Sequence, residues 1–420
     1  MTINPTYIVA LLVAALLGNT LLFRLCRVST PSTVSGWRGR IVTDSLLVAV
    51  ALALGFAGWE IYWNRSEDVM LAVLLFLPVQ SAFAAILFFR HNRRCGSPPG
   101  WGRLVLGNGL ILLCLLTLAL AAGEVYFRFI FDTTDSIAYT KAAKRWMKRY
   151  YHYNKSKFRD DIEYALPLPP GQRRVSFVGD SFTVGHGIKN IEDRFANRVR
   201  RLHPDWEVHV LASNGADTGG EMTLLDGYTA RGYRLDEVVL VYNLNDINDL
   251  LTDWMAHLDK MANKVRQRPL ICEDSYLLDT LYFRLVIARL PWIRSYFSHV
   301  REAYHGEKWE QQQQRLRALR DLVASRGGRL SVVTFPFLNA LGPDYPYQFV
   351  HDELNAFWHE EKVPHLDLLP VFKAMRPAAV TVNPFDAHPN ELANALAAER
   401  INAFLLEQMA TNSPPAAIPR

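Results

Sequence analysis

Four apolar runs crowd the first third of this chain, over residues 7–23, 46–59, 70–89 and 104–122. Each comes close to the ~20 residues that a helix needs to cross a bilayer. Almost no charge interrupts them, although Asp44 and Glu60 stand near the ends of the second. Four such runs are hard to bury inside one soluble globule, so they predict an N-terminal four-helix transmembrane region over 1–125.

The loops between the runs orient them. The first loop carries Arg24, Arg27, Arg38 and Arg40, and the third carries Arg90, Arg93, Arg94 and Arg103, with no acid among the arginines of either. In the second loop Arg65 is balanced by Glu67 and Asp68, and the N-terminal tail has no charged side chain. Basic loops stay cytoplasmic, so the N-terminus and everything after the fourth run are expected on the periplasmic or extracellular face of a bacterial-type inner or plasma membrane. The first run is not read as a secretory signal, because it has no charged start and ends at Arg24 without a small-residue cleavage site.

Composition narrows the function classes. The net charge of +5 is mostly accounted for by the two basic loops and gives no reason to expect nucleic acid. The four cysteines (Cys26, Cys95, Cys114, Cys272) do not form a disulfide scaffold, and no Cys/His cluster has metal-ligand spacing, so neither a metal nor a cofactor is expected. A basic cluster, Lys141, Lys144, Arg145, Lys148 and Arg149, fits a solvated helix face or a patch resting on anionic headgroups.

Residues 126–170 read as a juxtamembrane connector: an amphipathic helix over 135–151, a polar piece, then Pro169 and Gly171 marking a linker. From there strands and helices alternate. Apolar runs at 175–178, 207–211, 237–242 and 330–335 read as buried strands, with a short strand at 365–369. Helical periodicity covers 191–202, 221–231, 309–325 and 393–409. This alternation predicts an α/β three-layer domain over 171–412, a parallel sheet flanked by helices, with a flexible tail at 413–420. An aromatic-rich helical insertion over 252–308 breaks the rhythm and is read as a subdomain with its own small core, or as a lid or membrane-facing surface.

Parallel sheets place their sites at the carboxyl ends of the strands. Polar loops fall there three times: Gly179-Asp180-Ser181 after the first strand, the stretch around Asn214 and Gly215 after the second, and Asn243 to Asp246 after the third. Ser181 sits at a strand-to-helix turn, where its own N–H faces any anion that forms. Near the C-terminus Asp386 and His388 lie two residues apart in what reads as a Pro-bounded turn. A carboxylate beside an imidazole holds the ring in one tautomer and stabilises its charged form. His186 has no acid beside it in the sequence and is the second choice as base.

At this point the chain resembles the SGNH (GDSL-type) hydrolase superfamily. GDSFTVGHGI is similar to that family's first block, Asn214-Gly215 to its glycine block, NLND (243–246) to its G-x-N-D block and DAHPN (386–390) to its last, in order, over about 174–405. Two positions depart: Asn243 stands where the family usually has glycine, and Phe385 stands three residues before His388, where the family often has its Asp. The resemblance implies Ser181 as nucleophile, His388 as base and Asp386 as its orienting acid. It implies an oxyanion hole from the N–H groups of Ser181 and Gly215 and the amide of Asn245, with Asp180, Asn214 and Asp246 as secondary candidates. It also implies an acyl-ester enzyme, esterase, deacetylase or O-acyltransferase, working on a glycan of the cell envelope or on a secreted polysaccharide. A lipid esterase or lysophospholipase, and a non-catalytic scaffold that binds glycan or a membrane acyltransferase, are the alternatives. The size of the helical anchor further suggests docking to a membrane-bound acyltransferase partner.

Overall fold

The computed structural model describes residues 67–94, 100–168 and 170–411. The first two apolar runs, Cys26, Cys95 and the tail at 413–420 lie outside the described residues. The chain divides into two compact units, one comprising Met1–Asp132, Thr140–Ala142 and Gln267–Leu285, the other comprising Thr133–Tyr139, Ala143–Arg266 and Val286–Arg420.

In the first unit, the third and fourth apolar runs form helices α1 (Glu67–Arg94) and α2 (Trp101–Val125). Two stretches, Met70–Arg90 and Trp101–Ile130, are long and apolar enough to cross a membrane. Leu112, Leu115, Leu116 and Leu118 of α2 are exposed, which is the reverse of a core helix in a soluble protein. The two helices approach closely at Gly107, where an added Cβ would come 3.1 Å from the ring of Phe88. Ser81 and Thr117 share a hydrogen bond of 2.9 Å between the helices, and Thr117 also donates back to the Leu113 carbonyl. Small residues and hydroxyls that satisfy one another are how helices associate where no water is present.

The middle of the insertion belongs to this unit rather than to a core of its own. It contributes two short helices, Leu270–Asp274 and Tyr276–Leu285. Glu124, fully buried near the end of α2, accepts hydrogen bonds from the backbone N–H of Tyr276 (3.1 Å) and Leu277 (2.9 Å) and from Ser275 Oγ (2.7 Å). A carboxylate there satisfies N–H groups that the first turn of a helix leaves without intrahelical partners. Arg128 pairs with the same carboxylate at 2.9 Å and donates to the Asp274 carbonyl at 3.0 Å. Glu124→Ala removes the buried carboxylate partner of Arg128, which keeps the Asp274 carbonyl and Asp68 at 3.8 Å, and uncaps the second helix. It should cost about 3–5 kcal/mol, the scale of breaking a buried pair, and accelerate tryptic cleavage within 267–285 in detergent.

The second unit is built on a five-stranded sheet: β1 (Arg173–Gly179), β2 (Trp206–Ala212), β3 (Glu237–Asn243), β4 (Arg329–Phe335) and β5 (His365–Asp367). The spatial order is β2-β1-β3-β4-β5, and every pairing is parallel. Every residue of β3 is buried, as a central strand covered on both faces requires. Connecting helices include Ser181–Val184, Phe195–Leu202, Thr218–Ala230 and Gly306–Ser325, with Glu391–Thr411 last. The register aligns Gly179 with Ala212 on one side and with Val241 on the other, so the loops after β1, β2 and β3 open on one edge.

Four elements differ from expectation, the first being the connector helix expected over 135–151, which covers only Lys141–Tyr150. The helix expected over 191–202 begins at Phe195, because Arg194 is extended and its fully buried side chain turns inward to Asn197 Oδ1 (2.7 Å) and the Arg159 carbonyl (3.0 Å). A helix at Gln348–Glu360 was not anticipated, although Val350, Leu354 and Phe357 give it a buried stripe. The Pro-bounded turn near the C-terminus is instead a two-stranded antiparallel ribbon, β6 (Thr381–Asn383) and β7 (Asp386–Pro389).

Candidate active site

Ser181 is placed by a close approach at the end of β1. A Cβ on Gly179 would lie 2.4 Å from Thr183 Oγ1 and 2.8 Å from the carbonyl oxygen of Val241, so the strand ends in a residue without a side chain. Asp180 then caps a single helical turn, its Oδ1 accepting the N–H of Phe182 at 2.8 Å. The turn closes after Val184 with Gly185 at φ 77°, a left-handed conformation natural to glycine. The helix expected after the serine is therefore one turn long.

The ribbon supplies the other two groups. In a strand, residues two apart share a face, so the spacing that departs from the family pattern brings Asp386 and His388 together. His388 Nδ1 lies 2.5 Å from Asp386 Oδ1, and His388 Nε2 lies 2.7 Å from Ser181 Oγ. Asp386 Oδ1 also accepts the backbone N–H of His388 at 3.1 Å. Burial pushes the Asp386 carboxyl up, but the charge and hydrogen bond of His388 outweigh it and hold the group below the ordinary aspartate range. Burial likewise opposes a charged His388, and the carboxylate of Asp386 outweighs it, so the imidazole titrates above its ordinary value. The arrangement can draw a proton from the serine to an imidazole whose cation is already stabilised.

His186 stands beside this line, not apart from it. Its ring centroid is 4.5 Å from that of His388, and its Nε2 is 3.6 Å from Asp386 Oδ2, so the acid it lacks in sequence is supplied by the fold. Burial first, then the neighbouring charge of His388, lowers its pKa to about 4. Donor atoms of His186, Asp386 and His388 lie within 4.8 Å of one another, the spacing of a metal site. The hydrogen bonds argue against that reading. His388 spends both nitrogens on Asp386 and Ser181, and His186 Nε2 faces the Asp135 carbonyl at 3.1 Å.

The other sequence candidates fall on the flanking loops. Gly215, at φ 74°, lies in the exposed turn after β2, and Asn214 beside it meets Tyr151. Asn245 follows β3, with its Oδ1 buried and without a hydrogen-bond partner. Neither Asn245 nor Gly215 hydrogen-bonds to Ser181. Asn243, where the family usually has glycine, does not adopt a positive φ; its Oδ1 accepts the N–H of Leu244 at 2.8 Å and closes the turn itself. Asp246 is a brace, its Oδ2 accepting the N–H of Asn243 at 2.9 Å.

Beneath the serine lies a group of buried acids that sequence reading did not assemble. Asp180, Glu221 and Asp246 are each essentially inaccessible. Burial and mutual repulsion push Glu221 and Asp246 well above the usual carboxylate range, and burial raises Asp180. Carboxyls whose folded pKa is raised stabilise the fold at low pH, and that contribution fades as pH climbs through the raised value. Stability should therefore fall from the ordinary carboxylate range (~4) towards alkaline pH. Glu221→Gln should flatten that fall, as read from thermal midpoints across pH 5–9 (roughly spanning the loss).

No family model and no curated protein matches the chain. Solved structures do. A lipolytic protein of the G-D-S-L family from Veillonella parvula shares 13% identity, covering 57% of this chain and 98% of its own, at a TM-score of 0.34. An extracellular lipase from Streptomyces rimosus shares 15%, over 56% of this chain and 99% of its own, at 0.34. The chain is also similar to an acetyl xylan esterase, at 11% identity over 55% of this chain and 98% of the other and a TM-score of 0.34.

Proposed function

We propose that this chain is a membrane-anchored serine acyl-ester enzyme. The observation that carries the reading is the line Ser181–His388–Asp386, with separations of 2.7 and 2.5 Å, at the carboxyl edge of a parallel sheet. Ser181 Oγ attacks an ester carbonyl while His388 Nε2 takes its proton, and Asp386 holds the imidazole and steadies its charge. The N–H of Ser181, the N–H of Gly215 and the amide of Asn245 receive the developing oxyanion. The leaving alcohol takes the proton back from His388, and water or a sugar hydroxyl then releases the acyl group.

The basic loops orient the anchor so that this unit faces outward, and the esters within reach there include O-acyl groups on cell-envelope or secreted polysaccharide. That makes deacetylation or O-acyl transfer on such a glycan the reading we favour. A membrane-bound acyltransferase as partner would account for an anchor larger than one tether needs.

Three measurements test this. A fluorophosphonate should label the wild-type protein and fail on Ser181→Ala and His388→Ala; labelling that survives in either variant removes the assignment. Asn245→Ala should lower kcat on a model acetyl ester by about 10²–10³ with the fold intact. Because a neutral His388 is the base, kcat/KM should rise with pH through an apparent pKa above that of free histidine and then level off.

A further inference from the structure

We propose that His186 is a positioning residue for this site, a neutral ring whose Nε2–H steadies the free oxygen of Asp386 and is itself held by Tyr151 and the Thr134–Asp135 segment. The inference rests on the assignment of Ser181, His388 and Asp386 above.

Asp386 uses only one of its oxygens on the site histidine. Oδ1 takes both bonds from His388, while Oδ2 is buried without a hydrogen-bond partner. An unsatisfied buried carboxylate oxygen is expensive. His186 Nε2 is 3.6 Å from it, a short movement away from a hydrogen bond.

The surroundings of His186 decide which nitrogen carries the proton. Nε2 faces the Asp135 carbonyl oxygen at 3.1 Å, a group that can only accept, and the Asp386 carboxylate on its other side is also an acceptor. Nε2 is therefore protonated. Nδ1, 3.0 Å from Tyr151 Oη, then accepts from the phenol. With its own proton given away, Tyr151 Oη accepts from Asn214 Nδ2 at 3.3 Å. Thr134 Oγ1 completes the cage at 3.1 Å from Nε2 while donating to the Asp135 carbonyl at 3.2 Å. A directed chain thus runs Asn214→Tyr151→His186, from the glycine-containing loop after β2, and leaves Nε2–H on the Asp135 carbonyl and 3.6 Å from the acid on β7.

This wiring excludes His186 as a second base, since neither nitrogen has a free lone pair for the serine proton. It also requires a ring that stays uncharged beside His388. The guanidinium of Arg159, 4.2 Å from the centre of the Tyr151 ring, discourages protonation, in line with the depressed pKa of His186. Gly187, at φ 87°, lets the turn press on the ribbon, where a Cβ would lie 2.2 Å from Val382 Cγ2. The ring is thereby registered against the strand pair that carries Asp386.

The test is steady-state kinetics on p-nitrophenyl acetate with the full-length protein. His186→Leu should lower kcat about ten- to hundredfold, the scale of one hydrogen bond to a charged group, with KM within about twofold. His186→Gln, which keeps an N–H near the position of Nε2, should recover most of the loss. Tyr151→Phe should lower kcat in the same direction, and adding it to His186→Leu should cost nothing more, because both act through one chain. A folded His186→Leu enzyme with wild-type kcat, a His186→Gln no better than His186→Leu, or additive losses would overturn the proposal. If His186→Leu does not fold, an unchanged kcat in Tyr151→Phe overturns it alone. A wild-type protein that neither turns over the ester nor takes the fluorophosphonate would instead sink the enzyme assignment itself.

Discussion

The buried carboxylate of Asp386 is the point from which the geometry of the candidate site hangs. A negative charge with essentially no access to solvent is tolerable only if its surroundings answer it. One oxygen is answered by two donors of His388, and that pairing raises the histidine's affinity for a proton. The same demand explains why the acid sits on a strand. Alternation on β7 presents Asp386 and His388 on one face without a loop having to be ordered around them. The antiparallel partner β6 holds the strand, and Asn383 of β6 in turn binds Thr133 Oγ1 at 2.8 Å and the Thr134 carbonyl at 2.9 Å.

The floor of the site shows the opposite economy. Asp180, Glu221 and Asp246 crowd a region where burial disfavours charge on all of them. A sequence selected for stability alone would place apolar residues there. What two of them provide is backbone order. Asp180 caps the serine turn and Asp246 ties down the start of the loop that carries Asn245. Order around Ser181 and the loop of Asn245 is obtained with groups that are costly to bury, a familiar exchange at functional sites.

Much of this could be read from residues alone. Apolar runs such as EVVLVY declare buried strands, and the polar clusters after three of them declare an edge. The amphipathic stripe of Gln348–Glu360 was equally legible and went unread. What the chain conceals are partners distant in sequence. Tyr151 and Thr134 lie 35 and 52 positions from His186, and Glu124 lies 151 from Ser275. No local pattern of period 2 or 3.6 encodes such meetings, because they are set by how finished elements come together. The two-residue spacing of Asp386 and His388 looked like a departure for a related reason. Its meaning depends on the backbone being a strand rather than a turn.

The hydrogen bonds made by Thr133 to Ser136 change where the sheet-bearing unit begins. The N–H of Ser136 meets the Phe385 carbonyl and its hydroxyl receives the N–H of Ala387, so the ribbon is stitched on both sides of Asp386. Composition places a boundary at the Pro-rich string near residue 170, which would make the preceding forty residues a dispensable spacer. The stitching ties Thr133–Ser136 to the unit that carries the sheet, whereas the helical unit takes Met1–Asp132 together with Thr140–Ala142 and Gln267–Leu285. The two units are thus interleaved along the chain rather than strung end to end. A version released from its helices at the Pro-rich string would keep the sheet, the serine and the histidine, and lose the brackets that hold the acid in place. A recombination that exchanged the helices by one cut near residue 132 would leave 140–142 and 267–285 behind.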